Sequence, residues 1–210
     1  MKRIGFCVLN KKYQSQIERV VKSVNFPYRV YADYELENAF MIPEIDFSFK
    51  THSYYDSFMN LILSKIKIFS DLSIIYDQVF NLDLDIEFKK DITPVLDAYK
   101  ESYLYGCLEA TNYLRLSQKR KKVLKFIDTD EMHYINAGFM IMNFQYRFNI
   151  EEVRWFFENC PFSNCPEQDF FNWKFKDKIK VMPNDVCWNR FLKPCENPYM
   201  IHHLGFPKGF

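Results

Sequence analysis

The sequence predicts one α/β domain: a central, mostly parallel mixed sheet flanked by helices. Three observations carry this. The first 31 residues read as β-α-β, and short apolar runs then alternate with helical stripes. The chain has 210 residues with 48% hydrophobic content, enough for one large core and too short for two.

The elements follow in order. Ile4–Leu9 is an apolar run ending at Asn10 and reads as the first strand. Tyr13, Ile17, Val20, Val21 and Val24 then recur at helical spacing. Pro27 leads into Tyr28–Tyr31, a second strand. Sheets that start this way place ligands at the carboxyl ends of their strands. Residues 34–53 read as irregular. A helix is predicted from Ser57 to Asp71, with Leu61, Ile62, Ile66 and Phe69 on one face and Lys65 near the other.

Ile74–Tyr76 and Val79–Leu82 flank a turn at Asp77-Gln78, and the second run is a buried strand leading into Asp83-Leu84-Asp85. Ile92–Tyr99 reads as a short helix entered through Thr93-Pro94, and Tyr103–Leu108 as a strand. The basic run Ser117–Lys122 reads as an exposed loop or helix end, with a phosphate- or acceptor-binding role as the alternative. A strand at Ile135–Asn143, helices at Ile150–Asn159 and Gln168–Phe175, and a closing strand at Ile179–Met182 complete the pattern.

Composition narrows the function. Aromatics at 19% against 26% charged residues exclude a disordered chain. Lys+Arg of 28 against Asp+Glu of 27 gives no electrostatic drive toward nucleic acid. With only five glycines, Gly5, Gly106, Gly138, Gly205 and Gly209, no dinucleotide fingerprint or P-loop can be written. A diphosphate held here needs another neutralising partner, and a metal ion is the natural substitute.

No run approaches the ~18 apolar residues of a membrane span. The N-terminal apolar run of about six residues is short for a signal peptide. A cytoplasmic protein is expected, with reduced thiols at Cys7, Cys107, Cys160, Cys165, Cys187 and Cys195. The last four lack the tight pairing of common zinc sites and read as buried small hydrophobes.

The strongest chemical signal is Val79–Phe88, around Asp83-Leu84-Asp85. On a strand, residues two apart share a face, so Asp83 and Asp85 project together while Leu82, Leu84 and Ile86 face the core. Two carboxylates this close repel unless a cation lies between them, and hard oxygen ligands suit Mn²⁺ or Mg²⁺. Alone, the pattern is equally a strand ending in solvated acids. Three further islands accompany it: Tyr134–Asn143, Pro166–Asn172 and Ile201–Lys208. In the last, the His202 imidazole can complete a carboxylate metal site and Lys208 offers charge to phosphate. His52, His133 and His203 fit no role better than ordinary surface or core histidines.

These islands resemble, in order and approximate spacing, the retaining GT-A (Rossmann-like) glycosyltransferases of family 8, the group of glycogenin and bacterial lipopolysaccharide galactosyltransferases. Asp83-Leu84-Asp85 looks like the D-x-D motif, and Asn136-Ala137-Gly138 like the N-[AS]-G that touches the donor sugar. Glu167-Gln168-Asp169 is similar to D-Q-[DG], and His202-x-x-Gly205-x-x-Lys208 to H-x-x-G-x-x-K. Asn10-Lys-Lys-Tyr13 resembles the N-x-x-Y after the first strand, and Lys67 stands where the family carries a basic residue.

The resemblance implies Mn²⁺, with Mg²⁺ as the alternative, held by Asp83, Asp85 and His202. It implies transfer of a hexose or deoxyhexose from a UDP-sugar to a hydroxyl of a glycan or protein-linked sugar, with retained configuration. Tyr13 would stack on uracil, with Leu9 and Asn10 reading its edge. Lys67, Leu84, Asn136, Ala137, Gly205 and Lys208 would line the donor. Gln168 would lie beneath the anomeric carbon, Glu167 would hold sugar hydroxyls, and Lys208 would stabilise the leaving diphosphate.

Two departures stand out. Glu167 replaces the usual aspartate, and the chain closes Lys208-Gly209-Phe210 where the family has Lys-Pro-Trp. Members generally continue beyond this point, so further domains of a longer protein are expected. The size and heavy Phe, Tyr and Lys usage resemble a virus-encoded glycosyltransferase domain, for which the compartment is the host cytoplasm. The rival readings are a non-catalytic nucleotide-sugar-binding module and, more weakly, a D-x-D phosphatase.

Overall fold

The computed structural model describes residues 1–16, 26–45, 59–109, 118–161, 163, 165–189 and 192–204. A seven-stranded sheet forms the centre, in the order β3-β2-β1-β4-β7-β6-β8. Its strands are β1 (Arg3–Leu9), β2 (Tyr28–Ala32), β3 (Phe40–Met41), β4 (Gln78–Leu82), β6 (Leu104–Leu108), β7 (Ile135–Met142) and β8 (Ile179–Met182). Pairing is parallel throughout except at β7, which runs antiparallel to both β4 and β6. A second sheet of three strands, β5 (Ile86–Phe88), β10 (Met200–His202) and β9 (Cys187–Asn189), stands beside it.

The alternation of β1 shows how the core divides. Ile4, Phe6 and Val8 pack into one hydrophobic cluster, and Cys7 and Leu9 into the other, on the opposite face of the sheet. Every residue of β4 and of β7 is buried, as expected for central strands covered on both faces. Gln78 begins β4 inside the protein and donates from Nε2 to Leu96 O (3.1 Å) and Tyr99 O (2.8 Å), which compensates the burial of its NH₂ group but not of its Oε1.

The helices are α1 (Met59–Ile75), α2 (Thr93–Ala98), α3 (Gln118–Ile127), α4 (Ile150–Asn159) and α5 (Pro166–Lys174). Asn149 caps α4 by accepting from Glu151 N, and Glu151 and Glu152 in the first turn suit the positive end of the helix. Pro166 opens α5, where its missing N–H costs nothing.

Helix α1 packs on β1, β4 and α5. It therefore buries most of its circumference, including Lys65, which lies inside rather than near the solvent face. The helix also runs through Ile74 and Ile75, both exposed, before the turn into β4.

Other expectations shift in detail. The predicted helix after β1 is a 3₁₀ segment at Lys11–Gln16, and Ile17–Val24 lies outside the described residues. Ser57 and His52 also lie outside them. From Gln118 onward the basic run forms the start of α3, Ser117 lying outside the described residues; Lys121 and Lys122 are exposed, but Arg120 is fully buried. Strands β3, β9 and β10 have no counterpart in the sequence reading. Two or three residues are too few for an alternation to register, and both β3 residues are exposed at the sheet edge.

The chain leaves β4 through a turn, with Ile86 N donating to Asp83 O at 3.1 Å, instead of extending the strand. Leu82, Leu84 and Ile86 are buried as anticipated. Among the described residues, no helix is long and apolar enough to cross a membrane.

Candidate functional site

The site begins where β4 ends. Asp83 N donates to Gly138 O (2.9 Å), carrying the β4–β7 pairing one residue past the strand and fixing the start of the turn. Antiparallel pairing of β10 with β5 sets His202 opposite Ile86, next to Asp85. His203 N donates to Asp85 O (3.0 Å), locking that register. Asp83, Asp85 and His202 each offer a ligand atom, and these atoms lie within 4.8 Å of one another. His202 Nε2 is 3.1 Å from Asp85 Oδ1.

The donor chemistry fits a divalent cation. Two carboxylates and one imidazole, with no thiolate in the group, are the ligands that suit Mn²⁺ or Mg²⁺. Burial alone would lower the His202 pKa, but the hydrogen bond and charge of Asp85, then the charge of Asp83, raise it above its ordinary value.

Lys65 reaches the same carboxylates from α1. Its Nζ donates to Asp83 Oδ1 (2.7 Å) and to Ala137 O (3.0 Å), and lies 3.8 Å from Glu167 Oε1. Burial works against its charge, yet Asp83 and Glu167 raise its pKa above the ordinary lysine value. Glu167 is pushed up by burial, opposed by Lys65 and assisted by Asp83. Lys65, Asp83, Glu167 and Asn81 form the polar side of a cavity of about 110 Å³; Phe6, Val8, Leu61 and Ile62 form its apolar side. Lys67, the basic residue singled out in the sequence, bonds instead to both carboxylate oxygens of Asp71 at 2.8 Å.

Behind the carboxylates stands a wall of amides. Asn81 Nδ2 donates to Ala137 O (2.7 Å), and its Oδ1 accepts from Met140 N (2.9 Å). Asn136 Oδ1 accepts from Gly138 N (2.7 Å), and Gln168 Oε1 accepts from Ala137 N (2.9 Å). Asn172 accepts from Ile135 N and donates to Ile135 O, both at 2.8 Å. The Asn136-Ala137-Gly138 backbone is thus held by side chains from β4 and α5, and both polar backbone groups of Ala137 are engaged.

Asp169, next to Gln168, is buried at the end of this wall. It accepts from Arg120 Nη1 (2.6 Å), Ser163 Oγ (2.6 Å) and the Tyr134 hydroxyl. Burial works against the Arg120 charge, but Tyr134 and Asp169 hold the guanidinium firmly protonated. Burial, then the Asp169 charge, drives the Tyr134 phenol well above its usual pKa.

At the end of β1, Leu9 is wholly buried in the core and its carbonyl accepts from Asp33 N (3.2 Å). Asn10 Nδ2 donates to Asp33 Oδ2 (2.6 Å), while Asn10 Oδ1 accepts from Lys12 N (2.9 Å). Tyr13 packs part-buried against the second core cluster. Leu84 is buried beneath the acidic turn. Gly205 and Lys208 lie outside the described residues.

Sequence reasoning missed Lys65, Glu109, Arg120 and Asp33. Their types carry no motif, and a buried lysine or arginine looks like a surface one until its helix is placed. Of the other described histidines, exposed His133 pairs with Asp130, and His203 with Glu87. All six cysteines are free thiols, and burial pushes Cys7 and Cys160 up to about 12.

A mixed sheet with an acidic turn after a central strand, completed by a histidine from a small flanking sheet, defines a GT-A glycosyltransferase. Glycosyl transferase family 8 matches residues 2–206, and the chain belongs to that family. No curated protein matches the chain in sequence.

Among solved structures, the galactosyltransferase LgtC in complex with donor and acceptor sugar analogs superposes with a TM-score of 0.66 at 16% identity, covering 97% of this chain and 87% of that one. Mouse xyloside xylosyltransferase 1 gives 0.65 at 10% identity, over 97% and 98%. The bifunctional glycosyltransferase WbbM gives 0.64 at 14% identity, over 98% and 46%. At these identities the likeness is one of fold.

Proposed function

We propose that this glycosyltransferase moves a hexose or deoxyhexose from a UDP-sugar to a hydroxyl of a glycan or protein-linked sugar, with retained configuration and in a Mn²⁺-dependent reaction. The observation that carries the reading is the convergence of Asp83, Asp85 and His202 within 4.8 Å. A cation held there supplies positive charge against a leaving diphosphate, with Mg²⁺ as the alternative ion.

The chain's own residues do the rest. Lys65 and the Asp83 backbone bond fix the first carboxylate, so the ligand set needs little reorganisation. Glu167 and Asn136 accept and donate hydrogen bonds at sugar hydroxyls. Gln168 presents its amide oxygen to the cationic sugar that develops as the glycosidic bond breaks. An amide is a poor nucleophile, which favours attack from the face the diphosphate leaves. The acceptor hydroxyl then gives its proton to the departing phosphate oxygen. Tyr13 stacks the uracil beside Leu9 and Asn10, Gly205 contributes to donor binding, and the Lys208 charge stabilises the leaving diphosphate. One domain spans the chain, and its free thiols support a cytoplasmic setting.

The test is a thermal-shift panel of nucleotide sugars with and without Mn²⁺. A ligand at 100 times its Kd stabilises by about 2.7 kcal/mol. A UDP-sugar is expected to raise the melting temperature only when Mn²⁺ is present, and slow release of free sugar distinguishes turnover from binding alone. Indifference to every UDP-sugar with Mn²⁺ present overturns the proposal.

A further inference from the structure

Glu109 follows β6 at its carboxyl end and is buried. Its Oε2 accepts from Asn136 Nδ2 (2.9 Å) and from Gln168 Nε2 (2.6 Å), so one carboxylate oxygen joins β7 to α5. A carboxylate only accepts, so both amides must turn their NH₂ groups toward it. Their oxygens are thereby directed onto the β7 backbone, at Gly138 N and Ala137 N.

The remaining hydrogen of Gln168 Nε2 goes to the Tyr134 hydroxyl (3.1 Å). That hydroxyl can accept it because its own hydrogen goes to Asp169 and Arg120 only donates. Both Gln168 N–H bonds are spoken for inside the wall. The capacity left on the amide is the second lone pair of Oε1. A flipped amide would set NH₂ against Ala137 N and carbonyl oxygen against Glu109, two repulsive contacts in a buried site.

We propose that Glu109 is a positioning residue: it sets the flip state of Gln168 and Asn136, so that Gln168 offers an acceptor and not a donor to the sugar. The inference rests on the glycosyltransferase reading given above. It identifies the group that makes an amide serve as an electron-rich neighbour to positive charge.

Two measurements test it. In metal-free wild-type protein labelled with ¹⁵N-glutamine, both side-chain amide protons of Gln168 should exchange slowly and resonate away from free-amide positions. Glu109→Gln, whose own amide can face either way, should return them toward free values. Rapid exchange of both protons in the wild type overturns the proposal without any variant.

In kinetics, Glu109→Gln should lower kcat on the order of 10²-fold, as expected for a misplaced reactive group, with the donor KM little changed. In a background carrying both Gln168→Ala and Asn136→Ala the same substitution should change kcat by less than roughly threefold, because both its targets are gone. Multiplicative losses overturn the proposal. Glu109→Asp, which keeps the charge and withdraws it by one methylene, gives the same cycle if the glutamine variant does not fold. Failure of the wild type to turn over any nucleotide sugar counts against the functional reading, while the amide spectrum still decides the role of Glu109.

Discussion

Gly138 and His202 occupy adjoining space so closely that a Cβ on the glycine would lie 2.2 Å from Cε1, 2.6 Å from Nδ1 and 2.8 Å from Nε2 of the imidazole. The glycine of β7 is therefore the floor on which the histidine of β10 lies flat. No flexible chain end is available to give way; the ring itself must move. This explains why an N-x-G sequence and a histidine more than sixty residues later belong to one site.

Gly138→Ala should accordingly displace His202 without removing any metal-binding atom. The expected result is a loss of Mn²⁺ affinity of about 10–100-fold, the range for disturbing a group that orients a ligand. Isothermal titration with Mn²⁺ measures it. An alanine variant that binds Mn²⁺ as the wild type does would show that the ring is not a ligand.

Asp85 combines a turn position with a contact to His202, so its loss removes one ligand and frees another. By analogy with the loss of a group that stabilises transition-state charge, Asp85→Ala should cost about 3–4 kcal/mol, or roughly 10²–10³ in kcat. The Mn²⁺-dependent rise in melting temperature should disappear with it. Near-normal turnover of the variant at saturating Mn²⁺ contradicts the assignment.

The raised pKa of His202 gives a pH dependence of definite sign. The folded value lies above the ordinary ~6.5 because Asp85 and Asp83 outweigh burial. In the metal-free protein this stabilisation is fully present below about pH 6.5 and is lost as pH rises through the folded pKa. Mn²⁺ needs the unprotonated nitrogen, so its affinity should rise over the same window and binding should release protons. Melting curves of wild type and His202→Gln across that range, with calorimetry in buffers of different ionisation enthalpy, check both halves. Metal binding without proton release below the folded pKa contradicts the pairing.

Arg120 and Asp169 are fully buried together, 2.6 Å apart, with Tyr134 and Ser163 completing the set. Removing one member strands a charge, so Arg120→Met should destabilise by about 3–5 kcal/mol. Adding Asp169→Leu should restore part of that loss, since an apolar replacement of both partners removes the stranded charge. Urea unfolding of the single and double variants decides it. A double variant less stable than the single one would mean the pair contributes more than charge balance.

Most of the fold was legible because its signals are local. Strands β1 and β2 and the largely apolar β7 each lie within one short window, and helix α4 falls on its predicted bounds. The metal group was legible as well, since Asp83, Asp85 and His202 carry their chemistry in their side chains. What escaped depends on placement. Strands β9 and β10 are three residues each and exist through pairing, β10 with β5 and β9 with β10. Arg120 sits in a run of basic residues that looks solvated, and only the docking of α3 against α5 turns it inward. The turn at Asp83–Asp85 was read as strand because its apolar neighbours alternate in either geometry.

Lys65 and Lys67 state that limit most sharply, and they can be set against each other. The two lie on α1 two residues apart, on different faces: Lys65 bonds Asp83 at 2.7 Å inside the site, while Lys67 bonds Asp71 one turn along the same helix. Removing Lys65 leaves Asp83 and Glu167 facing a shared cavity with no cation between them, and raises the Glu167 pKa further, because Lys65 now opposes the burial that pushes it up. Lys67 and Asp71 form a partly exposed pair of the kind worth about 0.3–0.5 kcal/mol. Lys65→Met should therefore lower both stability and donor turnover by clearly more than Lys67→Met does. Melting temperatures and kcat/KM of the two variants, measured side by side, make the comparison. A larger loss from Lys67→Met would return the donor-side role to the residue that sequence position alone suggests.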